Sequence, residues 1–117
     1  MERYLSRFDP ENMVKVAEGI SLNPWLSDGL LDKLGISVLD IHFSRETPYH
    51  YHEKTQEFFR FYTNGKVIFD GNEFEVHENS TLYIPVKAKH KLIPENVLKA
   101  TLITVPKFDP SDEYIVK

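Results

Sequence analysis

His50-Tyr51-His52-Glu53-Lys54-Thr55-Gln56-Glu57 is the stretch on which the fold turns. Two histidines two apart in an extended run put both imidazoles on one face, because side chains alternate along a strand. Imidazole nitrogens suit zinc, copper, iron, nickel and cobalt, and such a pair can touch one ion at roughly 2 Å each. Glu57 opens the next run, where a carboxylate could add an oxygen ligand and a negative charge. The octet is a candidate metal clamp set in β structure.

Working outward, the rhythm on both sides is that of strands. From Gly35 onward, β-branched and aromatic residues alternate in runs parted by turn residues about every 8 to 12 positions. The runs are 36–43, 50–52, 57–62, 66–69, 73–76, 81–84, 90–93 and 97–105. Short strands at this spacing predict an all-β sandwich or barrel. Asn64-Gly65 and Asp70-Gly71 supply the residues that tight hairpin turns demand. Pro85 and Pro94 bracket His90 and belong at strand ends, since proline donates no ladder hydrogen bond. The first third is mixed: 13–18 reads as a short strand, Asn23-Pro24 as a breaker, and 27–34 as about two helical turns capped by Ser27. The segment 106–113 reads as a surface turn around Asp109, Pro110 and Ser111.

Composition excludes several classes of function. The chain has 117 residues, which predicts one domain over 1–117, with 1–34 an extension, 35–105 the barrel core and 106–117 a tail. Without cysteine there is no disulfide scaffold, Cys nucleophile, Cys-held cluster or Cys-ligated structural zinc. A net charge of -4 argues against nucleic acid as partner, since phosphate contacts demand a basic face. No apolar run approaches the roughly 18 residues of a membrane span, and the charged amino end lacks a signal-like stretch, so a cytoplasmic protein without membrane contact is expected. The sequon Asn79-Ser80-Thr81 is then expected to carry no glycan. No Gly-rich phosphate loop, nucleophile elbow or HExxH helix is present.

Two motifs give the chain a resemblance to the cupins, small barrels of the double-stranded β-helix or jelly-roll kind. The first family pattern runs Gly, five residues, His, one residue, His, three or four residues, Glu, six residues, Gly. This sequence is similar to it at His50, His52, Glu57 and Gly65, with Ser44 at the opening glycine and one extra residue before Gly65. The second pattern runs Gly, five residues, Pro, one residue, Gly, two residues, His, three residues, Asn. Pro85 and His90 match it, whereas Asn79, Lys87 and Pro94 stand where the family has Gly, Gly and Asn.

The resemblance implies one divalent transition metal ion (Fe, Mn, Ni, Co or Zn) held by His50, His52, Glu57 and His90. It also implies a homodimer, formed by exchange of the strand 13–18, and a small-molecule ligand or substrate. By strand parity Gln56 rivals Glu57 for the inward place; the carboxylate is preferred because an anion offsets a cation's charge in a poorly solvated cavity. Lys87, Lys89, Lys91 and Arg45 could make a basic mouth for a carboxylate or phosphate, or could blunt an exposed sheet edge. Tyr49, Tyr51, Phe59, Phe61 and Tyr83 could wall a pocket or fill the core. An Asp40–His42 contact is conceivable, and His77 falls on a solvent face. The expected functions are a metal-dependent enzyme of isomerase-like or dioxygenase-like chemistry on a small polar metabolite, or a metal-anchored binding or sensing domain. A purely structural barrel is the third reading.

Overall fold

A computed structural model describes residues 7–26 and 29–117. Its strands are β1 (Val14–Ala17), β2 (Ile20–Pro24), β3 (Ser37–Phe43), β4 (His50–Tyr51), β5 (Gln56–Phe61), β6 (Gly65–Phe69), β7 (Asn72–Val76), β8 (Thr81–Ile84), β9 (His90–Pro94), β10 (Leu98–Val105) and β11 (Tyr114–Ile115). A single 3-10 turn (Pro10–Asn12) precedes β1, and a short α-helix, α1 (Leu30–Lys33), precedes β3 among the described residues. The strands form two antiparallel sheets, ordered β1-β2-β3-β10-β5-β8 and β11-β4-β9-β6-β7.

Alternation in the sequence becomes an inside and an outside. Leu39, Ile41 and Phe43 on β3, Phe59 and Phe61 on β5, and Leu98, Ala100 and Leu102 on β10 all point between the sheets. Val67 and Leu92 meet them from the second sheet. Burying each of the larger side chains is worth about 1.5–3 kcal/mol, and this shared interior is what holds the two sheets face to face. Among the described residues no helix is long and apolar enough to cross a membrane.

Asp70-Gly71 makes the tight turn its residues predict: both have positive φ, 46° and 85°, and Phe69 pairs with Asn72 across it. Asn64-Gly65 does not. β5 and β6 lie in different sheets, so residues 62–64 cross from one to the other instead of closing a hairpin. Gly65 is needed there for space, since a Cβ would stand 2.7 Å from the Ile93 carbonyl oxygen.

The amino-terminal third also departs from expectation. Asn23-Pro24 does not break the chain but ends β2, where Asn23 pairs with Asp40 and Pro24 with Leu39. β1 reaches only to Leu22 on the far side, so no neighbour there requires the amide that proline lacks. The helix covers fewer residues than 27–34, with Gly29 at its start in the left-handed region, and Ser27 lies outside the described residues. The tail holds the unforeseen β11, paired with β4.

Candidate metal centre

His50 and His90 are direct partners across the β4–β9 ladder, which puts their rings on one face of the second sheet. His52 follows the end of β4, and Glu57 comes from β5 of the opposite sheet. The two faces bring the four side chains together inside the barrel, all half-buried or buried. One ring nitrogen of each histidine lies within 4.8 Å of the others, a group that could hold a metal ion. Glu57 Oε1 stands 3.1 Å from His90 Nε2 and 3.3 Å from His52 Nε2. Gln56 points the other way, its Oε1 accepting from the Tyr83 hydroxyl at 2.7 Å on the outer face.

The rings are oriented from behind. His50 Nδ1 donates to the Pro48 carbonyl at 2.6 Å, His90 Nδ1 to the Ala88 carbonyl at 2.9 Å, and His52 Nδ1 to the Asp112 carbonyl. With a proton kept on each Nδ1, the lone pair of a neutral ring sits on Nε2, which is how protein ligands to metals are usually aligned. Two buried atoms at the meeting point, His52 Nε2 and Glu57 Oε1, face each other at 3.3 Å without a well-aligned hydrogen bond to any group. Buried polar atoms are rarely left so, and an orphaned nitrogen beside an orphaned carboxylate oxygen fits a place for a cation.

The electrostatics point the same way. Burial, reinforced by His90, pushes His50 down to about 4. Burial also opposes charge on His52, but Glu57 outweighs it and holds that ring up at about 9. Glu57 is driven down to about 2: burial resists its ionisation, and the neighbouring imidazoles prevail. Without metal, the anion thus retains a proton beside it as its counter-charge.

Sequence reasoning missed what the tail contributes. The Asp112 carboxylate accepts the backbone amides of Glu53, Lys54 and Thr55 at 3.1, 3.0 and 3.0 Å, and the Thr55 hydroxyl at 2.7 Å. It therefore ties down the loop between His52 and Glu57. Glu113 Oε1 lies 3.4 Å from His50 Nε2, its side chain part-exposed. The segment makes the surface turn expected at Asp109, Pro110 and Ser111 and is also one wall of the site, of which its run of acids, Asp109, Asp112 and Glu113, was the one hint.

Beside the four side chains opens a cavity of about 410 Å³. Phe59 lines it, whereas Phe61 is core. Tyr51 stacks on Tyr114 at 5.4 Å, and Tyr83 stacks on Phe58 at 4.9 Å on the outer face. Among the described residues no basic mouth assembles there. Lys87 and Lys89 border a separate depression with Tyr51 and Lys117, Lys91 pairs with Glu46 at 2.7 Å, and Arg45 leans toward Glu18 at 3.8 Å. Asp40 turns to Trp25 Nε1 at 3.1 Å, His42 packs near Phe8, and His77 is exposed beside Glu75.

No family model and no curated protein matches this sequence. Solved structures do match it. The Streptomyces protein Pac13, described as a unique nucleoside dehydratase, superimposes with a TM-score of 0.72 at 13% identity over 97% of this chain and 92% of its own. KdgF from Halomonas sp. gives 0.70 at 14% identity over 91% and 97%, and ectoine synthase from P. lautus 0.70 at 13% over 93% and 83%. All three are cupin-fold proteins, and the likeness shows that this chain has the same β-barrel fold.

Proposed function

We propose that this cupin-fold protein is a metal-dependent enzyme which binds one divalent transition metal ion through His50, His52, Glu57 and His90 and acts on a small molecule in the adjoining cavity. The observation that carries the reading is the convergence of three imidazole nitrogens, within 4.8 Å of one another, beside the buried Glu57 carboxylate, whose Oε1 lies 3.3 Å from His52 Nε2 without a well-aligned hydrogen bond. Three imidazoles and one carboxylate suit Fe, Mn, Co, Ni or Zn. When bound, such an ion supplies Lewis acidity toward an oxygen of the ligand.

The chain's own residues supply the remainder. Backbone carbonyls hold the rings in one tautomer, inner-face apolar side chains keep bulk water away, and Glu113 Oε1 reaches the same space, where it can take or return a proton. A carboxylate beside an open cavity favours proton-transfer chemistry of the isomerase-like kind over oxidation. That a similar barrel is a nucleoside dehydratase supports turnover of small molecules on this architecture. The second reading, a metal-anchored binding domain, is favoured by the sparse equipment of the cavity: among the described residues, its lining adds only Asp109, Glu113 and Thr47 as polar side chains to the four.

Elemental analysis of protein made without a polyhistidine tag, beside the double variant His50→Ala/His52→Ala, tests the centre. Near-stoichiometric metal that is lost in the variant is the expected result. Equal metal in both would overturn the proposal.

A further inference from the structure

The cavity beside the imidazoles has walls of one character and a mouth of another. Leu22, Ile41, Phe43, Phe59, Leu92 and Leu102 wall it from the inner faces of both sheets, and Phe108 and Pro110 close over it from the tail. Thr47 apart, its polar groups lie in two places. The imidazoles and Glu57 lie at the deep end, and Asp109 and Glu113 come from the tail. Among the described residues no lysine or arginine lines it. The cations that the sequence sets beside His50 and His90 are engaged elsewhere: Arg45 toward Glu18, Lys91 with Glu46, Lys87 and Lys89 at a separate depression.

This distribution decides what can enter. An anion would pass two carboxylates, Glu113 and the exposed Asp109 that holds the Ser111 amide and hydroxyl with Lys54 nearby, and then lose its hydration against hydrocarbon, with no cationic side chain among the described lining residues to replace the water. A divalent ion beside Glu57 would carry a net charge of about +1, which Glu113, 3.4 Å from His50 Nε2, offsets from the tail side. An apolar body gains by leaving water, and a cationic group gains from the carboxylates. The space, about 410 Å³, equals about a dozen water molecules at liquid density and suits a ligand of one or two rings.

We infer that the site selects an uncharged or cationic small molecule with a mainly apolar body and discriminates against carboxylates and phosphates. Oxygen or nitrogen donors of the ligand face the imidazoles, and an ammonium group, where present, lies between Asp109 and Glu113. The inference deepens the metal-dependent reading above, and its deep-end half rests on that reading. The selection by charge rests on the walls and the mouth alone.

The test uses three one-ring compounds of matched size that differ in charge near neutral pH: benzyl alcohol, benzylamine and benzoate. They are titrated into the cobalt(II)-loaded protein by calorimetry near neutral pH and low salt. Benzyl alcohol and benzylamine are expected to bind at least about tenfold more tightly than benzoate. In Asp109→Asn/Glu113→Gln the advantage of benzylamine over benzoate should shrink severalfold. Equal or tighter binding of benzoate would overturn the inference, as would failure of all three to bind a loaded protein. If the protein takes up no cobalt, the metal reading fails separately, and toluene, benzylamine and benzoate are ranked on the metal-free protein by NMR shifts of cavity residues. Benzoate binding as tightly as the other two would then reject the selection by charge, and its exclusion would support it.

Discussion

The backbone carbonyl of Asp112 accepts the Nδ1 proton of His52, 60 positions earlier in the chain. The carboxylate of the same aspartate accepts three successive amides of the loop that leads from His52 to Glu57. One residue of the tail thereby fixes both a ring and the path between two of the four converging side chains. Beyond it, β11 pairs with β4, and the Val116 amide donates to the Tyr49 carbonyl at 2.9 Å, so the tail is held on either side of His50.

Removing that carboxylate should damage stability and metal binding together. Asp112→Ala leaves three amides and the Thr55 hydroxyl without their acceptor, and the expected loss is about 2–3 kcal/mol, since charge-assisted bonds are worth roughly 1.5–3 each and water can replace some of them. The main-chain carbonyl that accepts from His52 stays in place, but with the loop 53–55 released it no longer holds the ring against a fixed backbone, and metal should bind up to about tenfold more weakly. Asp112→Asn, which keeps one acceptor oxygen, should fall between. Urea unfolding and competitive metal titration check both effects, and an unchanged metal affinity would contradict the positioning role.

The metal-free protein should be most stable near pH 6.5. His52 keeps its proton up to about 9, above its ordinary value of 6.5, so its stabilisation is complete below 6.5 and disappears as the pH rises through 9. His50 is held down at about 4, so between pH 6.5 and 4 the unfolded chain takes up a proton that the native one refuses, and stability falls. Glu57 contributes above its ordinary value of 4.5 and loses that contribution as the pH falls through about 2. Thermal melts in chelator across pH 4–9 should show a maximum with two limbs, and His50→Ala should flatten the acid one. Because metal must displace the proton of His52, metal affinity should climb from pH 6 to 9.

How far the sequence could be read follows from the range of the interactions involved. Period-2 alternation is local, so the strands of the barrel were legible from neighbouring residues, and so was the pairing of His50 with His52, although His52 lies just past the end of β4. Asp70-Gly71 was legible for the same reason, a turn being four residues long. Asn64-Gly65 carries the same signal, yet Gly65 answers to Ile93 and Leu98, distant residues that no local rule includes. Asp112 and Glu113 were illegible because their partners lie across the barrel. The basic mouth failed for a local reason: Lys87, Lys89 and Lys91 share one parity and His90 the other, so the lysines emerge on the outside while His90 faces in.

Two departures from the family's glycines carry a backbone consequence. Asn79 and Lys87 have φ of 72° and 68°, the left-handed region that the glycines of that motif would enter freely. Asparagine tolerates it, whereas lysine pays about 1–2 kcal/mol in contact between its Cβ and the backbone. Lys87→Gly should therefore stabilise the protein by about 0.5–1 kcal/mol after the entropy of glycine is deducted, and raise Tm by a few degrees. The Lys87 amide donates to the His52 carbonyl at 2.6 Å, so the geometry at the site should be kept and metal content unchanged. A fall in Tm would show that the Lys87 side chain contributes more than its backbone strain removes.

Adjacent residues on β5 offer the sharpest separation of ligand from bystander. Glu57 is 7% exposed and faces the imidazoles, while Gln56 lies on the opposite face, bonded to Tyr83. Glu57→Gln removes the anion that holds the proton of His52, so metal affinity should drop at least about tenfold and the pKa of His52 should fall toward or below its ordinary value. Gln56→Ala should leave metal binding intact and change stability by no more than about 1 kcal/mol, the worth of its one exposed hydrogen bond. The exchange Gln56→Glu/Glu57→Gln preserves composition and net charge but moves the carboxylate to the outer face, because a shift of one residue along a strand reverses the side on which a side chain emerges. Metal titration of the exchange variant should match that of Glu57→Gln. Recovery of the affinity of the unmodified protein would mean that the carboxylate acts by proximity in sequence and not by its place inside the barrel.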